Sequence, residues 1–562
     1  MIGRFMFGYR HGEVPLPMSK LDPSKIKKTI KFGASKVGHM DHVPRVPVSR
    51  TLPIYFSGSA NPRPCPNFPP NVVIAILARV GMDPPPPCKR IIACLRKFVL
   101  SFCEQFLIPL ETAEVSFDDW LDQCPYTEKR KMELREVWRN SPFDKPVMVP
   151  HSTDVKSFIK DESYQEYKAP RTINSRADWF KCYSGPLFGA IGKKVFYTIP
   201  EFIKTVPVRS QPEFIIERLY DAFSRVANND ATSYEAHFVP IIMDNIEFVM
   251  YFYMCRLSPV FTAKMEEIQA TLTGDQLLIF KFFRVVTSAM RMSGEMNTSL
   301  GNGFTTLMLV LFLGWINECI VKLQAEGDDN LSIWQFAECV PTEDDWKNLG
   351  WVMKVETPES VCVASFCGNV FDIDDKIVIV DPRTALLDFG WVRKTYVNAS
   401  DVLLLQLLRS KALSMAHQYN GCPMLGTFGR HVVNITSHIK IRKSVVDTMN
   451  LYDKAEYLAV VEEDLPAHIE PSMANRILVQ RLYSISVEEQ LAFEASVPLI
   501  GLWSCVEPNF LTTLTSVENY ERYTTVTTDE WVFPGSPNLH LVEDVIRSFG
   551  PITSEFVETY YI

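Results

Sequence analysis

The chain has little of what usually announces a binding framework. Its 562 residues contain no C-x-x-C pair and no glycine-rich phosphate loop. Thirteen cysteines, an odd number, are scattered without a repeating spacing, and the ten histidines form no ligand cluster beside them. Reduced thiols in a cytosolic setting are therefore expected, not a disulfide scaffold. Positive charge is not in excess: 57 Lys and Arg stand against 66 Asp and Glu, a net charge of -9 with a pI near 5.7. That argues against non-specific coating of nucleic acid. A local basic channel stays open, because phosphates respond to the nearby field and not to the total. The opening "MIGRFMFGYRHGEVPLP" has no apolar core followed by a small-residue cleavage site, so no signal peptide is expected. One apolar stretch, 304–323, approaches membrane-span length. It carries Asn317 and Glu318 near its end and is read as a buried helix, so that no transmembrane segment is expected and any membrane attachment would come through partners.

What is present is the composition of a soluble globular protein, 47% hydrophobic, 12% aromatic and 22% charged. The length suggests about three or four domain-sized units. There is no internal repeat and no low-complexity block. Residues 1–50 are basic and poor in acids, resembling an arm on a larger body or a solvated tail. Prolines in "NPRPCPNFPPN" and "DPPPPC" flank a short helix, "VVIAILARVG". Helical periodicity covers 89–107 and 118–140, a basic hairpin-like pattern follows in "DVKSFIKDESYQEYKAPRTINSR", and "PEFIIERLYDAFSRV" again reads as helix. Strands are expected around "AEGDDN" and at "VCVASFCGNVFDI" and "KIVIVDP"; from about 384 the spacing is helical, and the last 60 residues look irregular. Strands and helices without a βαβ rhythm indicate an α+β fold.

Three stretches stand out chemically. "AEGDDN" sets Asp328 and Asp329 side by side after Gly327. Adjacent carboxylates repel each other unless solvated or holding a cation, although a Gly-Asp-Asp-Asn turn is also ordinary hairpin chemistry. "NNDATSYEAHF" supplies Asp230 and, five residues on, Glu235. An acid at the end of a strand could meet Asp328 across a sheet and form a site for a hard divalent cation; a helix cap or a surface acid is the plainer alternative. "SGEMNTSLGNGFTTLM" contains Ser293, Gly294, Thr298 and Asn302. A Ser-Gly loop feeding a helix offers backbone N–H groups and hydroxyls to a ligand, and the four-residue spacing puts Thr298 and Asn302 on one helical face. The same residues could simply cap the helix.

In that order, D-x4-[DE], S-G-x3-T-x3-N and G-D-D resemble motifs A, B and C of viral RNA-dependent RNA polymerases. The string "SGEMNTSLGN" is especially similar to positive-strand viruses of the tombusvirus-like group. "FIKDESYQEYKAPRTINSR" resembles motif F, with Lys160, Lys168 and Arg171 at its basic positions; "LGWVMKVE" resembles motif D, with Lys354 at its lysine; "SFCG" resembles motif E, with Phe366 and Cys367 in the turn. The resemblance covers about residues 156–380.

It implies template-directed RNA synthesis by a right-hand polymerase. The parts would be a basic N-terminal arm (1–50), fingers (51–220), palm with motif A (221–245), a fingers insertion (246–285), palm with motifs B to E (286–380), and a thumb with C-terminal segment (381–562). It implies Mg²⁺, with Mn²⁺ as a possible substitute, held by Asp230, Asp328 and Asp329 in a two-metal site. Lys160, Lys168 and Arg171 would hold the triphosphate, and Lys354 is a candidate general acid for the pyrophosphate. Glu235, Ser293, Gly294, Thr298 and Asn302 would surround and read the ribose. RNA template, nascent RNA, ribonucleoside triphosphates and other viral replication proteins are the implied partners, in the host cytoplasm at membrane-associated complexes. One departure is Glu235, where the tombusvirus-like group usually has Asp; the extra methylene alters ribose geometry and leaves Asp230 intact. The alternatives are a reverse transcriptase, which shares the Asp-Asp turn, and a non-catalytic RNA-binding scaffold.

Overall fold

The computed structural model describes residues 23–34, 50–56, 69–141, 152–160, 169–221, 224–281, 283–392, 396–447 and 464–511, with a few residues between 449 and 461. Two sheets organise these residues. Their strands are β1 (Lys31–Ala34), β2 (Val155–Ile159), β3 (Thr172–Arg176), β4 (Arg225–Ala231), β5 (Gln276–Ile279), β6 (Phe283–Thr287), β7 (Val321–Glu326), β8 (Asp329–Trp334) and β9 (Met353–Glu356). A five-stranded sheet runs β1-β6-β5-β2-β3, and a four-stranded sheet runs β9-β4-β8-β7. Strands and helices mix without a regular crossover, so the fold is α+β.

The four-stranded sheet is antiparallel throughout. Its register is fixed from inside. Asn229 and Asn330 are buried neighbours, with Asn229 Nδ2 donating to Asn330 Oδ1 at 2.9 Å and Asn330 Nδ2 to the Asn229 carbonyl at 3.3 Å. Because side chains alternate along a strand, burying these two amides turns their neighbours Asp230 and Asp329 to the other face. A slip of one residue would bury the carboxylates instead.

Behind this sheet lies the helix Thr298–Ile316, whose mean hydropathy over eighteen residues is 1.5. It is long and apolar enough to cross a membrane, yet 72% of that window is buried in the protein. Its neighbours in the same core include the helices Lys89–Phe106, Asp178–Thr198 and Glu247–Cys255. A second core joins the C-terminal helices, among them Asp401–Gln418 and Leu425–Ile435, to the segments around Ile54 and Phe371.

Several expectations shift in detail. The stretch 118–140 forms two helices, Phe117–Gln123 and Glu128–Arg139, separated by a break that contains Pro125. The helix near 211 ends at Leu219. Part of the basic N-terminal stretch is neither tail nor loose arm: β1 pairs with β6, and Lys27 is buried. The sequence pattern does not announce the long helix Asp178–Thr198, because it is buried along much of its length and carries Pro186 inside it, a residue that normally breaks helical periodicity. The irregular C-terminal stretch beyond 511 and Lys168 lie outside the described residues.

Candidate active site

β7 and β8 are joined by the two-residue turn Gly327-Asp328, with Glu326 opposite Asp329. Gly327 has φ of +62°, a conformation that costs a residue with a Cβ but not glycine, and which suits the first position of a tight hairpin turn. Leu331 faces Asn228 across β8 and β4, and the same register carried toward the turn sets Asp329 beside Asp230. On the far side of β4, Lys354 of β9 stands opposite Asp230. Three acids and a lysine from separated segments therefore share one end of one sheet.

The electrostatics of that end are unfavourable for bare carboxylates. Asp328 keeps accessible surface, yet enough protein surrounds it that burial is the main cause raising its pKa; Glu235 and Asp230 add to the rise, and Arg171 opposes it. Asp329 is raised in the same way, by burial and then by Asp328 and Asp230, against the hydrogen bond it accepts at 2.8 Å from Cys367 N. That donor comes from the turn at 366–369, where Cys367 and Gly368 both have positive φ and Phe366 bridges Asn369. Among the described residues no three acidic, His or Cys side chains converge on a common metal-holding point. The donor chemistry nonetheless suits a hard cation: carboxylate oxygens whose mutual repulsion a positive ion would relieve.

Arg171 sits just before β3, and its carbonyl accepts from Lys160 N at 2.8 Å, which extends the β2–β3 hairpin by one rung. Both basic residues thus lie at the mouth of that hairpin. The charge of Arg171 reaches Asp328. Lys354 is exposed and pairs with Glu356 on its own strand; this partner, and then Asp230, raise its pKa.

The S-G loop is attached to the edge of β3. Ser293 Oγ accepts from Asn174 N at 3.0 Å and donates to the Thr172 carbonyl at 3.2 Å, while Gly294 N donates to the Asn174 carbonyl at 2.9 Å. A Cβ on Gly294 would lie 2.8 Å from that carbonyl oxygen, so only glycine allows the approach. These groups are used within the protein in this conformation. Thr298 Oγ1 lies 2.7 Å from the Met292 carbonyl and 3.1 Å from that of Glu295, closing the loop into the helix. Asn302 follows one turn later on the same helix, and its Oδ1 accepts from Arg291 Nε at 3.0 Å.

Several residues of this neighbourhood were not singled out by sequence reasoning. Arg291 forms a fully buried ion pair with Glu247 at 2.7 Å, and Glu247 Oε2 also accepts from Tyr251 at 2.9 Å and Asn297 at 3.3 Å. Arg176 and Glu295 form a second buried pair, which ties β3 to the S-G loop. Arg79, in the helical turn Ile76–Val80, grips Glu235 with two hydrogen bonds, Nε to Oε1 at 2.8 Å and Nη2 to Oε2 at 3.3 Å. Lys27 Nζ donates to the Ala236 carbonyl at 3.0 Å, and burial lowers its pKa to about 8 against the pull of Asp83 and Glu235. A usable signal existed for two of them. Arg79 and Glu247 are isolated charges inside apolar runs, "VVIAILARVG" and "IEFVMYFYMC", where a buried charge needs a partner.

No curated protein matches the chain significantly. A family model does match: residues 251–399 fit that of viral RNA-dependent RNA polymerases. The matched span contains Ser293, Gly294, Thr298, Asn302, Asp328, Asp329, Lys354 and Cys367, and it leaves out Asp230, Glu235 and the β2–β3 hairpin. With the acid turn and the S-G loop both inside that matched span, the chain is identified as an RNA-directed RNA polymerase.

Proposed function

We propose that this polymerase replicates a viral RNA genome by two-metal nucleotidyl transfer, and that it belongs with the tombusvirus-like group. The observation that carries the reading is the meeting of Asp230, Asp328 and Asp329 at one sheet end, with the last two raised in pKa by burial first and by their acidic neighbours after it. Asp230 and Asp328 would hold Mg²⁺, or Mn²⁺ in its place, with Asp329 as the adjacent acid. When bound, the metal pair supplies activation of the primer 3′-hydroxyl and neutralisation of the α-phosphate and the leaving pyrophosphate.

The chain's own groups do the rest. Arg171 binds the triphosphate bidentately, helped by Lys160 and by Lys168 from the same sequence stretch. Lys354, across from Asp230, donates a proton to the pyrophosphate. Glu235 and Asn302 read the ribose hydroxyls, while Ser293, Gly294 and Thr298 shape the loop that presents them. In the right-hand layout, the four-stranded sheet with residues 221–245 and 286–380 is the palm. Residues 51–220 and 246–285 are fingers, joined in the five-stranded sheet, and 381–562 are the thumb and C-terminal segment. Template, nascent RNA and ribonucleoside triphosphates are its partners, together with other viral replication proteins at membranes of the host cytoplasm.

The test is extension of a primed RNA template with and without Mg²⁺ or Mn²⁺. Metal-dependent extension with ribonucleotides is expected. Preferential use of deoxynucleotides would instead indicate a reverse transcriptase, and RNA binding with no extension under any condition would indicate a scaffold.

A further inference from the structure

The departure at Glu235 has a partner. We propose that Arg79 is a positioning residue for sugar selection, acting through its two-point grip on Glu235. The inference rests on the reading of Glu235 as the ribose-facing acid.

Arg79 and Glu235 lie 156 residues apart, and each side chain is about a quarter accessible (26% and 24%), so the pair is neither deeply buried nor a loose surface contact. Both carboxylate oxygens are engaged, each by a different guanidinium nitrogen. That fork fixes the plane of the carboxylate as well as its position, which a single contact or a lysine could not do. A free glutamate has three side-chain torsions to order when a ribose arrives, whereas a clamped one has little conformational freedom left to lose. Each oxygen retains a lone pair with which to accept a ribose hydroxyl.

The backbone around the pair is braced to match. Ser233, at φ of +53°, donates from Oγ to the Ala78 carbonyl at 3.3 Å; Lys27 Nζ holds the Ala236 carbonyl, and Lys27 N holds the Gly81 carbonyl at 2.7 Å. Glu235 O in turn accepts from Arg291 N at 3.0 Å, the arginine that orients Asn302. The two proposed ribose readers are thus connected through Arg291, and Arg79 holds the Glu235 carboxylate. An aspartate at 235 would be one methylene too short for both contacts, so the glutamate and Arg79 form a matched unit.

The experiment measures single-nucleotide incorporation of ATP and dATP opposite template U by wild type, Arg79→Ala, Arg79→Lys, Glu235→Gln and Arg79→Ala/Glu235→Gln. Arg79→Ala is expected to lower the ATP:dATP ratio of kcat/KM by roughly tenfold or more, the scale of a charge-assisted hydrogen bond, mostly through the KM for ATP. Arg79→Lys should fall between, and it keeps the test open should the alanine variant fold poorly. The double variant should be no worse than the worse single one, because both changes break the same unit. Equal loss for both nucleotides, or an unchanged ratio in the Arg79 variants beside a changed one in Glu235→Gln, overturns the role of Arg79 and leaves Glu235 as the sugar reader. An unchanged ratio in Glu235→Gln overturns the reading of Glu235 itself.

Discussion

Two groups of acids lie within this part of the molecule, and they are treated in opposite ways. Glu247 and Glu295 are buried, and each is matched by an arginine, Arg291 and Arg176, with further donors from Tyr251 and Asn297 around Glu247. Asp230, Asp328 and Asp329 stand at the end of the four-stranded sheet, where the nearest charges include one another and Glu235. Burying a carboxylate is costly, so the first group is neutralised within the protein and serves architecture, holding the S-G loop and the helix behind it in place. The second group keeps an excess of negative charge that the fold does not cancel. Excess charge of that kind, where two sequence segments meet, is what a bound cation would relieve.

Removing one acid of each kind separates the two roles. Asp328→Asn is expected to reduce extension by roughly a hundred- to a thousandfold or more, with RNA binding and thermal stability retained, since it removes charge without changing shape. Its Tm should equal or exceed that of wild type in the absence of metal, because a repulsion disappears. Near-normal turnover would remove Asp328 from the catalytic group.

Arg291→Ala should act first on the fold, costing about 3–5 kcal/mol of stability by leaving Glu247 buried and unpaired. Denaturant unfolding measures it. Replacing both partners with apolar residues of similar size should recover part of the loss. A fully stable Arg291→Ala would mean that Glu247 is accommodated without its arginine.

Arg171 tests where the negative end begins to be balanced. Arg171→Ala should raise the KM for nucleotides roughly tenfold while template affinity changes little. A collapse of template affinity at constant KM would place Arg171 in the RNA path instead.

The smallest expected effect is in the pH dependence of metal-free stability. Asp328 and Asp329 have pKa values raised above the ordinary aspartate value of 3.8, so the folded chain holds their protons more tightly than the unfolded one. Below 3.8 the two states bind these protons alike. As pH rises from there through the raised values, stability is lost. Tm scans of wild type against Asp328→Asn should therefore show the variant gaining on wild type as pH increases across that window, and added Mg²⁺ should shrink the difference. Parallel curves would show that Asp328 is not under electrostatic strain.

Much of the candidate site's local geometry was legible because its cues are local. Gly327 is where a hairpin needs a positive φ, Thr298 and Asn302 are one helical turn apart, and the apolar run 304–323 became the expected buried helix as far as Ile316, its last residues entering β7. The clamps were not legible. Arg79 meets Glu235 across 156 residues, Arg291 meets Glu247 across 44, and Arg176 meets Glu295 across 119. No periodicity connects such pairs; only the isolation of a charge within an apolar run hints that a partner exists.

The sequence by itself determined the order and local geometry of the motifs, since turn conformation and helical spacing depend on a few neighbouring residues. It also determined the α+β character, since strand and helix periods are written in the chain. The tertiary structure alone decided that β1, near the N-terminus, adds to a sheet completed by β5 and β6, and that Lys27 is buried against the Ala236 carbonyl. It alone decided that the Ser293 hydroxyl fastens a loop to β3 and that Glu235 is gripped by Arg79. Those outcomes depend on which distant surfaces are buried together, because a charge or hydroxyl acquires its role only from the partner that packing sets within hydrogen-bond reach.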